Sequence, residues 1–353
     1  MASVATPFLV LVFAVGVAVT WIAGVTLSKA TDALDARLGL GEELGGMILL
    51  AVAGSLPELA ITVSAAAGGH LGLAAGNLIG GIAMQTMVLV LCDVAVGPER
   101  PLTFLVGALT PAVEGLLVVV VVSGVAMGAL LAPTTAIGGV VSPASIAIVV
   151  FWIFGVWVIN RVRKDPHWQA SAPGSAPGRR HRREPIKGRE HPFSGASTGR
   201  VAAIFALACL LTLAAGAALE LTGNELANRA GINGVIFGAT ILALATALPE
   251  ISSGLAAVKL GDNALAIGDM FGGNAFQVCL FLVADLVAGK AVLPSVGVSN
   301  SWLAALGVAL TAVYAVGVIV RPARCWLRLG PDSILALVMY SLGVAGLFVL
   351  PGT

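Results

Sequence analysis

Charge is scarce in this chain. Of 353 residues, 10% are Asp, Glu, Lys or Arg and 58% are hydrophobic. A soluble domain carries about a quarter charged residues, so the composition excludes one and requires a polytopic membrane protein. Cysteine is scarce too: Cys92, Cys209, Cys279 and Cys325 have no metal-ligand spacing, and three of them lie inside apolar runs. They read as small hydrophobic packing residues, and no disulfide framework is implied. No basic region precedes the first apolar stretch, Pro7 to Leu27, and no clear cleavage site follows it. It reads as a retained helix, not a signal peptide. Net charge, at +1, says little by itself.

Glycine and long apolar runs, by contrast, are plentiful. Segments of spanning length fall at about 6–28, 44–68, 71–95, 102–125, 143–162, 200–220, 233–258, 262–287, 299–320 and 332–351. Residues 163–199 between the fifth and sixth are rich in Arg, Pro, Gly and Ser, cannot build a core, and read as a disordered, solvated linker. With that linker in the cytoplasm, 17 of the 19 Lys and Arg lie inside and only Arg229 and Lys290 outside. The positive-inside rule then places both termini outside. The basic RRHRR run (179–183) sets topology and faces lipid headgroups rather than nucleic acid.

Two stretches share one register. Gly46 to Gln85 contains SLPELAITV and GNLIGGIAMQ; Gly238 to Gln277 contains ALPEISSGL and GDMFGGNAFQ. Adding 192 to the first numbers gives the second without a gap, with 16 of forty pairs identical. Leu56-Pro57-Glu58 falls on Leu248-Pro249-Glu250, Gly80-Gly81 on Gly272-Gly273, Gln85 on Gln277 and Asp93 on Asp285. This is an internal duplication. Because the copies are five spans apart, the second enters the membrane from the opposite side. Such inverted repeats characterise secondary transporters, with the substrate site near the midplane where the copies meet. The predicted fold is all-α: about ten transmembrane helices in two inverted five-helix repeats, at 1–162 and 200–353, joined by the 163–199 linker.

Glu58 and Glu250 fall near mid-depth of their spans, where a carboxylate is costly and normally faces the protein interior with a function. The proline before each cannot donate a hydrogen bond and disrupts the helix ahead of it. Carbonyls freed there can coordinate a cation where backbone lines a cavity. The glycine-rich pieces, Gly76-Asn77-Leu78-Ile79-Gly80-Gly81 and Gly268-Asp269-Met270-Phe271-Gly272-Gly273, let helices approach closely. Each is followed one turn later by a glutamine. Two Glu, two Gln and the kinked carbonyls could supply the six to eight oxygens a calcium-type cation takes, and two carboxylates match one divalent charge.

These motifs resemble the α1 (46–85) and α2 (238–277) repeats of the calcium/cation antiporter superfamily, whose members include sodium/calcium and proton/calcium exchangers. The family pattern is roughly G-T-S-x-P-E, then G-N-x-x-G-S-N-x-x-N/D. The resemblance implies a sodium/calcium exchanger-like fold with no resident cofactor, in the plasma (inner) membrane. It implies acidic ligands at Glu58 and Glu250 and amide ligands at Gln85 and Gln277. Ser55 and Thr246 keep one hydroxyl in each first motif; Asn77, Asp269 and Asn274 are further ligand candidates. The chain departs from the pattern at Gly81 and Gly273, where the family has serine, and in closing both motifs with Gln. Those losses weigh against sodium, and the resemblance implies Ca2+ exported against H+, with the two ions competing for Glu58 and Glu250. Na+/Ca2+ exchange, or antiport of another cation on the same fold, is the alternative.

Other polar residues rank lower. Asp93 and Asp285 lie near span ends, where interfacial hydration is as good an account as an ion path. Glu114, behind Pro111, reads as interfacial, and His70 as a loop residue. Among other classes, a transport-inactive homologue and a cation channel remain open. An intramembrane protease does not fit: no zinc motif or Ser/Lys pair appears, and Ala266-Ile267-Gly268-Asp269 stands where Gly-x-Gly-Asp would be expected.

Overall fold

The computed structural model describes residues 4–38, 51–164, 193 and 195–350. Most of the 163–199 linker and the 44–50 start of the second expected span lie outside the described residues. The described chain is helical, in the order α1 (Thr6–Leu38), α2 (Leu56–Gly68), α3 (Leu71–Val96), α4 (Thr110–Gly128), α5 (Pro143–Lys164) and α6 (Thr198–Ala230). It continues with α7 (Gly234–Thr246), α8 (Leu248–Lys259), α9 (Asn263–Gln277), α10 (Leu280–Ala288), α11 (Val298–Val320) and α12 (Pro331–Leu347).

Seven of these runs are long and apolar enough to cross a membrane, with α9 and α10 counted as one span. The bent pair α7–α8 makes an eighth, and α2 and α12 are shorter apolar helices. These ten segments fall on the ten expected from hydropathy. The protein is a multi-pass membrane protein.

Packing repeats itself when the halves are exchanged. Helix α1 lies along its own counterpart α6, and α4 along its counterpart α11. The remaining contacts come in matched pairs: α2 on α6 with α8 on α1, α3 on α11 with α9 on α4, and α3 on α8 with α10 on α2. The pairs α4–α5 and α11–α12 close the pattern. The duplicated sequence thus folds as two repeats around a pseudo-two-fold, with α3, α9 and the helix breaks at its centre.

Helices α1 and α6 form the outer pair and expose apolar side chains such as Leu11, Ile22, Leu207 and Leu210. No hydrophobic force separates such residues from lipid tails, so association rests on close van der Waals fit. Glycine supplies that fit where α3 meets α7. A Cβ on Gly76 would stand 2.5 Å from the Val235 carbonyl oxygen, and one on Gly238 would stand 2.6 Å from that of Leu73. The close approach expected of the glycine-rich piece in the first repeat is thus a backbone-to-backbone contact with the second repeat.

Each repeat breaks its helix where the sequence places Ser55-Leu56-Pro57 and Ala247-Leu248-Pro249. Both prolines sit in the first turn of the following helix, α2 or α8, and the second break bends the chain by 46°. Proline has no N–H for the carbonyl four residues earlier, so Ala53 and Ala245 lose that donor. The glutamates follow in the first turns of α2 and α8, at the helix end that favours negative charge.

Candidate cation site

Glu58 is 1% exposed and has neighbours from both repeats. The Gln85 amide of α3 donates to its Oε1 at 3.4 Å, and the Thr246 hydroxyl of α7 lies within hydrogen-bonding reach. Glu250 is half-buried and close enough to Glu58 for the two charges to interact. Each glutamate keeps one buried oxygen, Oε2, without a hydrogen-bond partner.

Amides surround the pair. Gln277 donates from Nε2 to the carbonyls of Leu78 at 2.9 Å and Asn77 at 3.4 Å, across the repeat boundary, and its Oε1 is buried without a partner. Asn274 donates to Thr86 Oγ1 and to the Ile82 carbonyl, both at 3.5 Å, and its Oδ1 is likewise unpartnered. Asn77 is fully buried with neither side-chain atom bonded. Asp269, at the register position of Asn77, accepts from Ser253 Oγ at 2.9 Å and lies near Glu250. Thr246 bonds back to the Ala243 carbonyl at 3.2 Å, and Ser55 is buried in the break without capping the helix. Eight of the nine candidate residues therefore lie on the helices that meet at the pseudo-two-fold, and Ser55 lies in the break ahead of α2.

Buried polar atoms are almost always hydrogen-bonded, and each orphan costs about 1–3 kcal/mol. Here five acceptor oxygens, from Glu58, Glu250, Gln277, Asn274 and Asn77, lack a partner. All are hard ligands, and two are carboxylates, which is the donor set of an oxygen-seeking cation. No group of three or more His, Cys, Asp or Glu that could hold a metal ion occurs among the described residues. Neutral amides and carbonyls would make up the rest of the shell.

Three lower-ranked residues are placed differently from expectation, and a fourth, His70, is the loop residue expected but has a partner the sequence did not show. Asp93 and Asp285, placed near span ends with interfacial hydration and an ion path weighed equally, are buried and clamp backbone. Asp93 accepts from Leu102 N and Gly330 N, both at 2.6 Å; Asp285 accepts from Val292 N at 2.6 Å and Ser142 N at 2.9 Å. In each repeat the aspartate ties the loop after its own helix to the residue that starts the last helix of a repeat, α12 or α5. Glu114, expected at an interface, is 4% exposed and paired with Arg163 at 2.7 Å. His70 stands at the turn into α3, yet its Nδ1 meets Oε1 of fully buried Glu220 at 2.7 Å, with Ser64 donating to Oε2 at 2.7 Å. Thr86 and Glu220 carried no sequence signal, because their partners Asn274, Ser64 and His70 come from helices or turns distant in the chain, and Ser253 meets Asp269 of the next helix.

A multi-pass helical protein with a two-fold centre of paired carboxylates and amides is, as a class, an inverted-repeat cation transporter. The sodium/calcium exchanger protein family matches residues 8–162 and 200–349, and the chain belongs to that family, one of transporters. An Alkalimonas amylolytica protein named CaxA and described as a candidate antiporter is 23% identical over 263 residues, spanning 74% of this chain and 73% of its own. The inner membrane protein YrbG of Escherichia coli (strain K12) is 37% identical over 57 residues, 16% of this chain and 18% of its own. The crystal structure of the H+/Ca2+ exchanger CAX superposes with a TM-score of 0.68 at 14% identity, covering 97% of this chain and 86% of that one. The sodium-calcium exchanger NCX_Mj superposes at 0.59 and 17% identity, covering 97% and 99%.

Proposed function

We propose that this protein is a secondary-active antiporter that exports Ca2+ in exchange for H+ through a site built on Glu58 and Glu250. The observation that carries the reading is the set of five buried acceptor oxygens without partners, drawn from both repeats and including both glutamates. Two carboxylates balance one divalent ion, and amide and backbone oxygens complete a calcium shell of about six to eight ligands. When calcium leaves, two neighbouring carboxylates, each with a buried oxygen lacking a partner, are costly as anions, and binding protons relieves that cost. Calcium and protons then exclude one another, which is the requirement for exchange. Gln85, Gln277, Asn77, Asn274 and Asp269 act as supporting ligands, with Ser55 and Thr246 supplying hydroxyls at the two breaks.

The loop charges support an orientation with both termini outside and the 163–199 linker in the cytoplasm, and the family resemblance supports the plasma membrane. Repeats 1–162 and 200–353 are the units that alternate access to the site. Ser55 and Thr246 favour a second reading, Na+/Ca2+ exchange, because each repeat retains one hydroxyl beside its glutamate.

Calcium flux in proteoliposomes of purified protein, under imposed proton or sodium gradients, tests both. Flux driven by protons and lost in Glu58→Gln and Glu250→Gln is the expected result. Flux driven only by sodium keeps the site and reverses the coupling. No flux in any gradient overturns the reading.

A further inference from the structure

The two departures from the family pattern, glycine at 81 and 273 and glutamine at 85 and 277, meet in space across the repeats. An ideal Cβ on Gly81 would stand 2.5 Å from Gln277 Nε2, and one on Gly273 would stand 3.9 Å from Gln85 Oε1. The first distance is well inside van der Waals contact, while the second is ordinary contact. The chain has a long amide where the pattern has a short side chain, and no side chain at the residue it faces.

The two pairs are not equivalent. Gln277 turns its nitrogen onto the α3 backbone at Leu78 and Asn77, which leaves its oxygen as a buried acceptor with no partner. Gln85 turns its nitrogen onto Glu58. Only the Gln277 amide stands where a side chain at its facing glycine would lie.

We propose that Gly81 determines the cation affinity of the central site by seating the Gln277 amide. The residue itself touches no cation. Lacking a Cβ, it lets the Gln277 nitrogen reach two main-chain carbonyls, and those bonds hold the Gln277 oxygen as a neutral ligand for a hard divalent cation. This rests on the reading of Glu58 and Glu250 as a cation site. Because the atom displaced by a Cβ is the tip of a flexible side chain, a substitution at 81 moves the amide and leaves the fold in place. The effect therefore appears in binding rather than in folding.

The test is calcium-dependent thermal stabilisation of the purified, detergent-solubilised full chain, titrated to give an apparent Kd for wild type, Gly81→Ala, Gly273→Ala, Gln277→Ala and Gly81→Ala/Gln277→Ala. The melting temperature without calcium reports folding separately. Displacing one hydrogen-bonded amide ligand should weaken calcium by about tenfold in Gly81→Ala. Gly273→Ala should stay within about twofold of wild type, and so should the double variant relative to Gln277→Ala. Manganese, magnesium and sodium are titrated in parallel. Equal losses in Gly81→Ala and Gly273→Ala, or a Gly81→Ala loss that persists without Gln277, would overturn the proposal while leaving the two-glutamate site standing. A wild-type protein stabilised by none of the four cations would overturn the site itself, and the role of Gly81 with it.

Discussion

Asp93→Asn separates a structural clamp from an ion path. Asp93 is 1% exposed and holds two backbone N–H groups at 2.6 Å, one from Leu102 and one from Gly330. Asparagine is nearly isosteric but keeps a single acceptor, so its NH2 must face one of those N–H groups. The orphaned buried donor costs about 1–3 kcal/mol, and the surviving bond weakens by about 1 kcal/mol on losing its charge. The sum is on the order of 2–4 kcal/mol. At about 2 °C per kcal/mol for a chain at the large end of measured domains, melting should fall by about 4–8 °C. Thermal unfolding in detergent, followed by tryptophan fluorescence, reads this directly. Asp285→Asn should show a comparable fall, since it loses the equivalent clamp on Val292 and Ser142. Asp93→Asn protein reconstituted below its melting point should still exchange calcium. A variant that melts with wild type but no longer transports would refute the clamp and restore Asp93 to the ion path.

Four further outcomes follow from the same geometry. Glu58→Gln and Glu250→Gln should each reduce calcium flux by at least about a hundredfold, since each removes half the charge matched to the divalent ion; the proteoliposome assay measures it, and near-normal flux in either would sink the site. Removing Arg163 leaves the buried Glu114 carboxylate uncompensated, so Arg163→Ala should melt lower and Glu114→Gln/Arg163→Ala should recover much of the loss; the 45% exposure of the Arg163 side chain keeps the effect below the ~3–5 kcal/mol of a fully buried pair. His70→Ala should destabilise by taking a partner from Glu220, and Glu220→Gln in the same chain should return part of it, as read by comparative melting. Gly76→Val should fail to yield folded protein on size-exclusion chromatography, because its side chain would occupy the Val235 backbone; monodisperse material would contradict the α3–α7 contact.

Much of the site was legible because duplication is a pattern in one dimension. A gapless offset of 192 identifies Pro57 with Pro249, Glu58 with Glu250 and Gln85 with Gln277 before any contact is known. Proline chemistry then places a break ahead of each glutamate, and the structure has both breaks there. The same offset flagged Asp93 and Asp285 without revealing their task. Their donors Gly330 and Ser142 lie 237 and 143 residues away, and no local spacing announces them. Glu114 was misplaced, and the Glu220 partner of the loop residue His70 was missed, for a related reason. Position along an apolar run estimates depth, yet whether a polar residue at that depth meets headgroups or protein depends on which helix lies opposite. For Glu114 that helix is α5, bearing Arg163; for His70 it is α6, bearing Glu220.

The amino-acid order alone determined that this is a polytopic helical membrane protein, that it is built from two inverted copies, and that a carboxylate follows a helix break in each. Those are consequences of composition, period and proline, which act on neighbours in the chain. Tertiary structure decided which oxygens are left without partners, that Gln277 reaches the α3 backbone over Gly81, and that the two aspartates hold helix starts. Hydrogen bonding inside a membrane is settled by the helix across the interface, and in this fold that helix usually belongs to the other repeat.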